Sequence, residues 1–153
     1  MKPKIDTNKV KLRPATEADS EFASQVLKKA LGRYITMTFG SDDQQQQELR
    51  RRRLQPTDTW IIKFGDKEIG LIAVNREPDY IRVRQLFILP DFQRYGIGGH
   101  LMKDILLESK NKKIPVRLQV FKVNNPAKTF FEKLGFYVSG DTETHFQMEY
   151  SAK

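Results

Sequence analysis

Residues 86–102 restrict what this chain can fold into more than any others. Leu86, Phe87, Ile88 and Leu89 read as the end of an apolar strand, and Pro90 stops it. A short basic turn follows, with Gln93, Arg94, Tyr95, Gly96, Ile97, Gly98 and Gly99. His100, Leu101 and Met102 then enter an amphipathic helix. Strand, glycine turn and helix together aim several backbone N–H groups at one point. The helix start adds roughly half a positive charge to those donors. A phosphate or pyrophosphate is the natural ligand for such a point.

Two standard phosphate motifs fail here. No Gly is followed after four residues by Gly-Lys-Ser/Thr, so a P-loop is excluded. Gly96 and Gly98 begin a dinucleotide fingerprint, but its third glycine position is Leu101. The acid expected about 20 residues on is also missing, since residues 116–121 hold none. A tight turn that needs glycine only for its geometry is the structural alternative.

Composition narrows the classes. The 153 residues suit one domain spanning 1–153, with length enough for a core. The chain has no cysteine, which removes disulfides, thiolate zinc sites and cysteine nucleophiles. His100 and His145 are the two histidines, so a three-histidine metal site is impossible and no metal is expected. The first residues contain no apolar signal core and no run approaches a membrane span, so a cytoplasmic location without membrane association is expected. The net charge of +8 attracts polyanions, a phosphorylated cofactor among them.

Along the chain, residues 10–13 read as a strand, and Thr16 with Asp19 as a capping box. Phe22, Ala23, Val26, Leu27, Ala30 and Leu31 predict a helix stopped by Gly32, with residues 33–40 as a loop. Ser41 is a second N-cap, opening a mostly exposed helix that runs to the arginines 50–53. Those arginines suit a helix C-terminus; an acidic substrate or a nucleic-acid backbone is the functional alternative. Residues 59–64, 69–74 and 80–89 read as a three-strand meander. The apolar phase of the third strand shifts after Gln85, which predicts a β-bulge or burial of both faces. A helix from Ile97, a strand at 116–121, a helix capped by Asn125 and ended by Gly135, and strands at 137–139 and 144–150 complete the pattern. The strand–helix–strand unit implies a parallel crossover.

Gln93-Arg94-Tyr95-Gly96-Ile97-Gly98 resembles the acyl-CoA pyrophosphate loop of the GCN5-related N-acetyltransferases (GNAT). A second block, from Leu118 through Asn124, Asn125 and Pro126 to Phe130-Phe131-Glu132-Lys133-Leu134-Gly135-Phe136, resembles the other signature region of that family. The opening Arg13-Pro14-Ala15-Thr16-Glu17-Ala18-Asp19 and the element order match along nearly the whole chain, and the ending resembles a poorly characterised bacterial branch. The resemblance implies an α/β fold with a twisted, mostly antiparallel sheet, splayed between its fourth and fifth strands and flanked by about four helices. It implies acetyl-CoA as co-substrate and a primary amine of a small molecule or peptide as acceptor. The backbone of Leu86, Phe87 and Ile88 would hold the pantetheine arm. The amides of Arg94, Tyr95, Gly96, Ile97, Gly98 and Gly99 would hold the pyrophosphate, with Gln93 before them and His100 beyond. Asn124 matches a cofactor-contacting asparagine, although Asn125 competes with it as a helix cap.

Acetyl transfer needs a deprotonated amine, a polarised thioester carbonyl and a departing thiolate. Backbone N–H groups at the bulge would stabilise the oxyanion, and positioning supplies much of the rest. The family's tyrosine acid falls at Phe131, and a glutamate base of some relatives falls at Gln119. His145, Glu143 and Glu77 remain as candidate proton carriers, with Tyr95 and Tyr137 as further acids. Two other readings stand beside the enzyme. Phe131 and Gln119 suit a CoA-binding sensor without turnover; the net charge and residues 50–53 suit a nucleic-acid-associated protein. An exposed edge in the final strands would permit a homodimer.

Overall fold

The fold is that of a computed structural model, which describes residues 5–40 and 42–152. The strands are β1 (Val10–Pro14), β2 (Thr59–Phe64), β3 (Lys67–Arg76), β4 (Ile81–Ile88), β5 (Val116–Phe121), β6 (Tyr137–Asp141) and β7 (His145–Tyr150). The helices are α1 (Ser20–Phe39), α2 (Asp42–Arg51), α3 (Ile97–Lys112) and α4 (Asn125–Lys133). The seven strands are ordered β1-β2-β3-β4-β5-β7-β6. β4 and β5 are parallel, while β5–β7 and β6–β7 are antiparallel. The expected mixed sheet with a parallel crossover is therefore present. None of the described helices is long and apolar enough to cross a membrane.

Two compact units are formed: Met1–Ala73 with Gln85–Gly98, and Val74–Arg84 with Gly99–Lys153. In the first, Ala15, Ala23, Val26, Ile61 and Leu71 make a buried cluster, with Phe22, Leu54, Phe87 and Leu89 packed on it. Arg13 fastens this unit by donating to Asp19 at 2.7 and 3.0 Å and to Glu68 at 2.9 Å. The Arg13 bonds hold the Asp19 carboxyl below its ordinary range, and Asp19 accepts from the Thr16 amide at 2.8 Å, as the capping box requires. In the second unit Ile81, Val83, Met102, Val116, Leu118, Phe121 and Met148 are buried.

Two sequence expectations need correction and a third gains a detail. Gly32 does not end α1, which continues to Phe39 through residues expected to form a loop. Leu31 and Ile35 are both buried and lie four apart, so the apolar stripe continues past the glycine. Its burial outweighs a glycine cost of about 1 kcal/mol. The true stop is Gly40, with φ +71° and its N–H bonded to the Thr36 carbonyl at 3.0 Å. Secondly, α2 is mostly exposed as expected, but Glu48 is 5% exposed and accepts from Arg51 at 2.6 and 2.8 Å and from Arg52 at 3.1 Å. Two of the four clustered arginines thus serve an internal carboxylate. Thirdly, α4 is capped by Asn124 rather than Asn125; the Asn124 Oδ1 accepts from the Ala127 amide at 3.2 Å. Asn125 is the first helical residue and Pro126 the second. Ser41 lies outside the described residues.

Gly32 offers a direct test of the first correction. A Cβ added there meets nothing within 4 Å. Gly32→Ala should raise unfolding stability by about 0.5–1 kcal/mol, seen as a higher urea midpoint. An unchanged or lower midpoint would place the residue outside a regular helix.

Candidate functional site

The candidate site starts at the C-terminal half of β4. Burial alternates along Ile81 to Arg84 and lapses from Gln85, where both faces become half-buried. The phase change in the sequence therefore corresponds to a strand half-buried on both sides. β4 meets β5 in the parallel register Ile81↔Val116 and Arg82↔Arg117. Among the described residues this parallel ladder consists of those two rungs.

On its other flank, this half of β4 lies tight against β3. A Cβ built on Gly70 would fall 2.2 Å from the Phe87 carbonyl oxygen and 3.0 Å from the Ile88 Cα. Gly70 is the residue that lets the two backbones meet. Sequence reading missed it, because an apolar strand with one glycine gives no sign of what the neighbouring strand requires. The Leu89 amide closes the strand end by donating to the Ile69 carbonyl at 2.8 Å.

Residues Pro90–Phe92 make a single turn of 3₁₀ helix. The Gln93 side chain reaches back and donates to the Ile88 carbonyl at 2.8 Å, pinning the loop to the strand it left. Arg94 and Gly96 both adopt left-handed backbone, at φ +68° and +85°. Gly96 takes this conformation without steric cost, whereas Arg94 does not. Alternating handedness turns successive amides toward one side, the geometry of an anion-binding nest. α3 starts at Ile97, so the amides of residues 97–100 have no acceptor inside their own helix. The Ile97 side chain is 1% exposed and anchors the turn from beneath. Gly96 has open space around it, with nothing within 4 Å of a built Cβ. Gln93, Arg94 and Gly96 are exposed; Tyr95, Gly98, Gly99 and His100 are half-buried. Leu86, Phe87 and Ile88 thus lead through the pinned turn directly into the start of α3.

The candidate proton carriers are scattered. Glu77 is exposed on the turn before β4, at the opposite end of that strand from the glycine turn, and its amide donates to the Tyr80 carbonyl. Glu143 is exposed on the turn between β6 and β7. His145 opens β7 and is 7% exposed. Its ring stacks on Phe121 with centroids 4.2 Å apart, and Nδ1 lies 2.8 Å from the Thr144 hydroxyl. Gln119 is exposed on β5. Phe131 is 8% exposed and packs edge-on to Phe130 and Phe136 at 5.0 and 5.4 Å. Tyr137 donates to Glu149 at 2.8 Å, and that carboxylate pushes its hydroxyl pKa up, which makes it a poorer acid. Asn124, half-buried after β5, spends its Oδ1 on the α4 cap and leaves its Nδ2 donors for another role.

A second feature unseen in the sequence adjoins β4. The Gln85 side chain donates to the Arg52 carbonyl at 3.2 Å, tying the end of α2 to the residue before Leu86. A lone glutamine in a strand carries no signal for such a partner, 33 residues away.

The sequence model of the family described as acetyltransferase (GNAT) domain matches residues 55–138. A Mycobacterium tuberculosis protein named as a probable N-acetyltransferase is 31% identical over 88 residues, covering 56% of this chain. Only 49% of that relative is matched, so the chain spans about half its length. Among solved structures, the PaiA N-acetyltransferase of Thermoplasma acidophilum in complex with coenzyme A has a TM-score of 0.74. It is 18% identical, with 93% of this chain and 98% of that chain covered. Arabidopsis thaliana Naa50, in complex with a bisubstrate analogue of CoA and a peptide, has a TM-score of 0.64. It is 17% identical, with 94% and 99% covered. At such identities the likeness is one of fold.

Proposed function

The chain belongs to the GNAT acetyltransferase family, and on that premise we propose that it transfers an acetyl group from acetyl-CoA to a primary amine by direct attack while both substrates are bound. The observation that carries this reading is the pinned turn, with left-handed backbone at Arg94 and Gly96 running into the first amides of α3. Its shape and the first amides of α3, which have no acceptor within their own helix, suit a pyrophosphate, and the half-buried apolar stretch of Leu86, Phe87 and Ile88 suits an amide-bearing pantetheine arm. Family neighbours whose structures hold CoA or a CoA–peptide analogue support the same reading. We take residues 1–153 as one such domain, at work in the cytoplasm.

Acetyl-CoA supplies an acyl carbon activated as a thioester. The residues of this chain then have separate tasks. The amides of Arg94, Tyr95, Gly96, Ile97, Gly98 and Gly99 hold the phosphates, with His100 just beyond, while Gln93 spends its own amide on Pro90 and its side chain on Ile88 to fix the turn. Leu86, Phe87 and Ile88 hold the arm and aim amides at the carbonyl oxygen. Asn124 keeps its Nδ2 donors outside the α4 cap, which suits the cofactor contact that the family resemblance implies for it. The new C–N bond forms as the C–S bond breaks; the amine loses one proton and the departing sulfur gains one. Phe131 has no proton to give, so solvent protonates the thiolate, whose ordinary pKa of about 8.5 permits this. Of the side-chain proton carriers, His145 is the one fixed in orientation, by Thr144 and Phe121, and it is the candidate base. Glu143 and Glu77 have only exposed turn positions to recommend them.

A second reading, a CoA-binding protein without turnover, is favoured by the burial of Phe131 among aromatic rings where a tyrosine acid would otherwise stand. Calorimetry with acetyl-CoA, followed by thiol release on a panel of amines and peptides, separates the two. Saturable one-to-one binding with release of CoA is the expected result. Binding without release on any amine favours the second reading, and no heat at millimolar acetyl-CoA overturns both.

A further inference from the structure

The end of α2 and the C-terminal half of β4 belong to one compact unit, Met1–Ala73 with Gln85–Gly98. Gln85 and Phe87 of β4, and Leu89 just past it, alternate along the chain and so share one face. Phe87 and Leu89 pack on the buried cluster that holds Val26, Ile61 and Leu71, and Leu54 packs on the same cluster. Two residues before Leu54, the Arg52 carbonyl accepts from the Gln85 Nε2 at 3.2 Å. The segment that leaves α2 thus meets this face of β4 twice, once through a hydrogen bond and once through a shared core.

The carbonyl that Gln85 takes is held firmly from the α2 side. α2 ends at Arg51, and the carbonyls at a helix end find no donor within their own helix. The Arg52 amide donates to the Glu48 carbonyl at 3.1 Å, and the Arg52 Nε donates to the Glu48 carboxylate at 3.1 Å. Arg51 donates to that buried carboxylate as well, at 2.6 and 2.8 Å. Charge-assisted bonds of this kind are short and directional, so Arg52 is fixed by both its backbone and its side chain. Gln85 stands one residue before Leu86, where the stretch proposed to carry the pantetheine arm begins.

We propose that Gln85 is a positioning residue: it locks the end of α2 to the strand that receives acetyl-CoA, so that donor binding and the order of α2 are coupled. The inference rests on the acetyltransferase reading and adds to it a residue that acts from outside the ligand contacts. A ligand laid along Leu86, Phe87 and Ile88 fixes the backbone that carries Gln85. The carboxamide is then kept at the Arg52 carbonyl, and the end of α2 opens less often. Coupling of this kind is reciprocal, so an ordered α2 returns the same factor in donor affinity. One net hydrogen bond supports a factor of about five.

The test uses trypsin, for which the four arginines at residues 50–53 are targets once that turn opens. Lys110, Lys112 and Lys113, at the end of α3 in the other unit, are the reference. The full chain is digested with and without saturating acetyl-CoA, and cleavage at both stretches is followed by mass spectrometry. A ligand that only stabilises the whole chain slows both stretches equally. Acetyl-CoA should instead slow cleavage at 50–53 about fivefold more than at 110–113. Gln85→Met keeps the side-chain length and loses the donor. It should bring that ratio below about twofold and weaken calorimetric acetyl-CoA binding by about fivefold, as reciprocity requires. Gln85→Lys restores a donor and should restore both readouts. Cleavage at 110–113 without ligand checks that each variant keeps the parent fold. Equal slowing of the two stretches in the parent protein, full protection in Gln85→Met, or equal losses in the two variants overturns the inference. Acetyl-CoA binding without selective protection refutes this inference alone; absence of binding refutes the acetyltransferase reading.

Discussion

Gly70→Ala should destabilise the protein by about 3 kcal/mol or more, the upper range for overpacking. The methyl group would sit 2.2 Å from the Phe87 carbonyl oxygen, which is backbone and cannot rotate away. The Leu89 amide is bonded to the Ile69 carbonyl one residue from the clash, so the strand end cannot move without losing that bond. Any relief must come from shifting β4 at Phe87 and Ile88, the residues proposed to hold the pantetheine arm. A lower urea midpoint together with weakened acetyl-CoA binding is therefore expected. Gly99→Ala is the control for stability, since its Cβ meets nothing within 4 Å. Equal midpoints for Gly70→Ala and the parent protein would show that the strands are not in contact there.

Gly96→Val should do the converse: it should leave the fold standing and remove the ligand. Gly96 has φ +85° with open space around it, so the obstacle is conformational rather than packing. A β-branched residue in that region costs roughly 1–2 kcal/mol, which a domain of this size tolerates. If the residue instead relaxes to negative φ, its amide and that of Ile97 swing away from the phosphate position. Acetyl-CoA affinity should fall by about 100-fold or more, while the urea midpoint drops only by what roughly 1–2 kcal/mol costs and the cooperative transition remains; loss of one or two charge-assisted hydrogen bonds accounts for the affinity change. Retention of parent affinity by this variant would remove the phosphate role of the turn.

The two glycines also mark what a sequence can disclose. Gly96 was legible because it stands in a local pattern, strand end to helix start, where backbone donors converge by geometry alone. Gly70 was invisible, since its requirement comes from Phe87 on another strand. The same division holds elsewhere. Apolar pattern and cap residues together located the seven strands and the four α-helices. They ended α1 at Gly32 because a local propensity of about 1 kcal/mol was weighed without the burial of Ile35. The arginines of residues 50–53 read only as cations suited to a helix C-terminus, because Glu48 looks like one more polar residue on a polar helix. The partners that bury Glu48 are its own neighbours, but the surface it is buried against is not local. At α4 two adjacent asparagines offered equal caps, and one residue of register decided between them. The left-handed Arg94 carried no signal, since arginine has no preference for that region. Most of the proposed phosphate turn was therefore readable, while the supports behind it were not.

The brevity of the β4–β5 ladder has a kinetic consequence. Its two rungs join residues 81 and 82 to residues 116 and 117, with the whole of α3 between them. Closing so long a loop costs chain entropy that two rungs repay poorly, and such non-local pairings form late in folding. The hairpin of β2 and β3 closes locally through the turn at Gly65, and β6 and β7 likewise pair as neighbours in the chain. The strand edge proposed to receive the acyl donor is thus completed after the hairpins beside it. A nascent chain would gain affinity for that donor only at the end of folding.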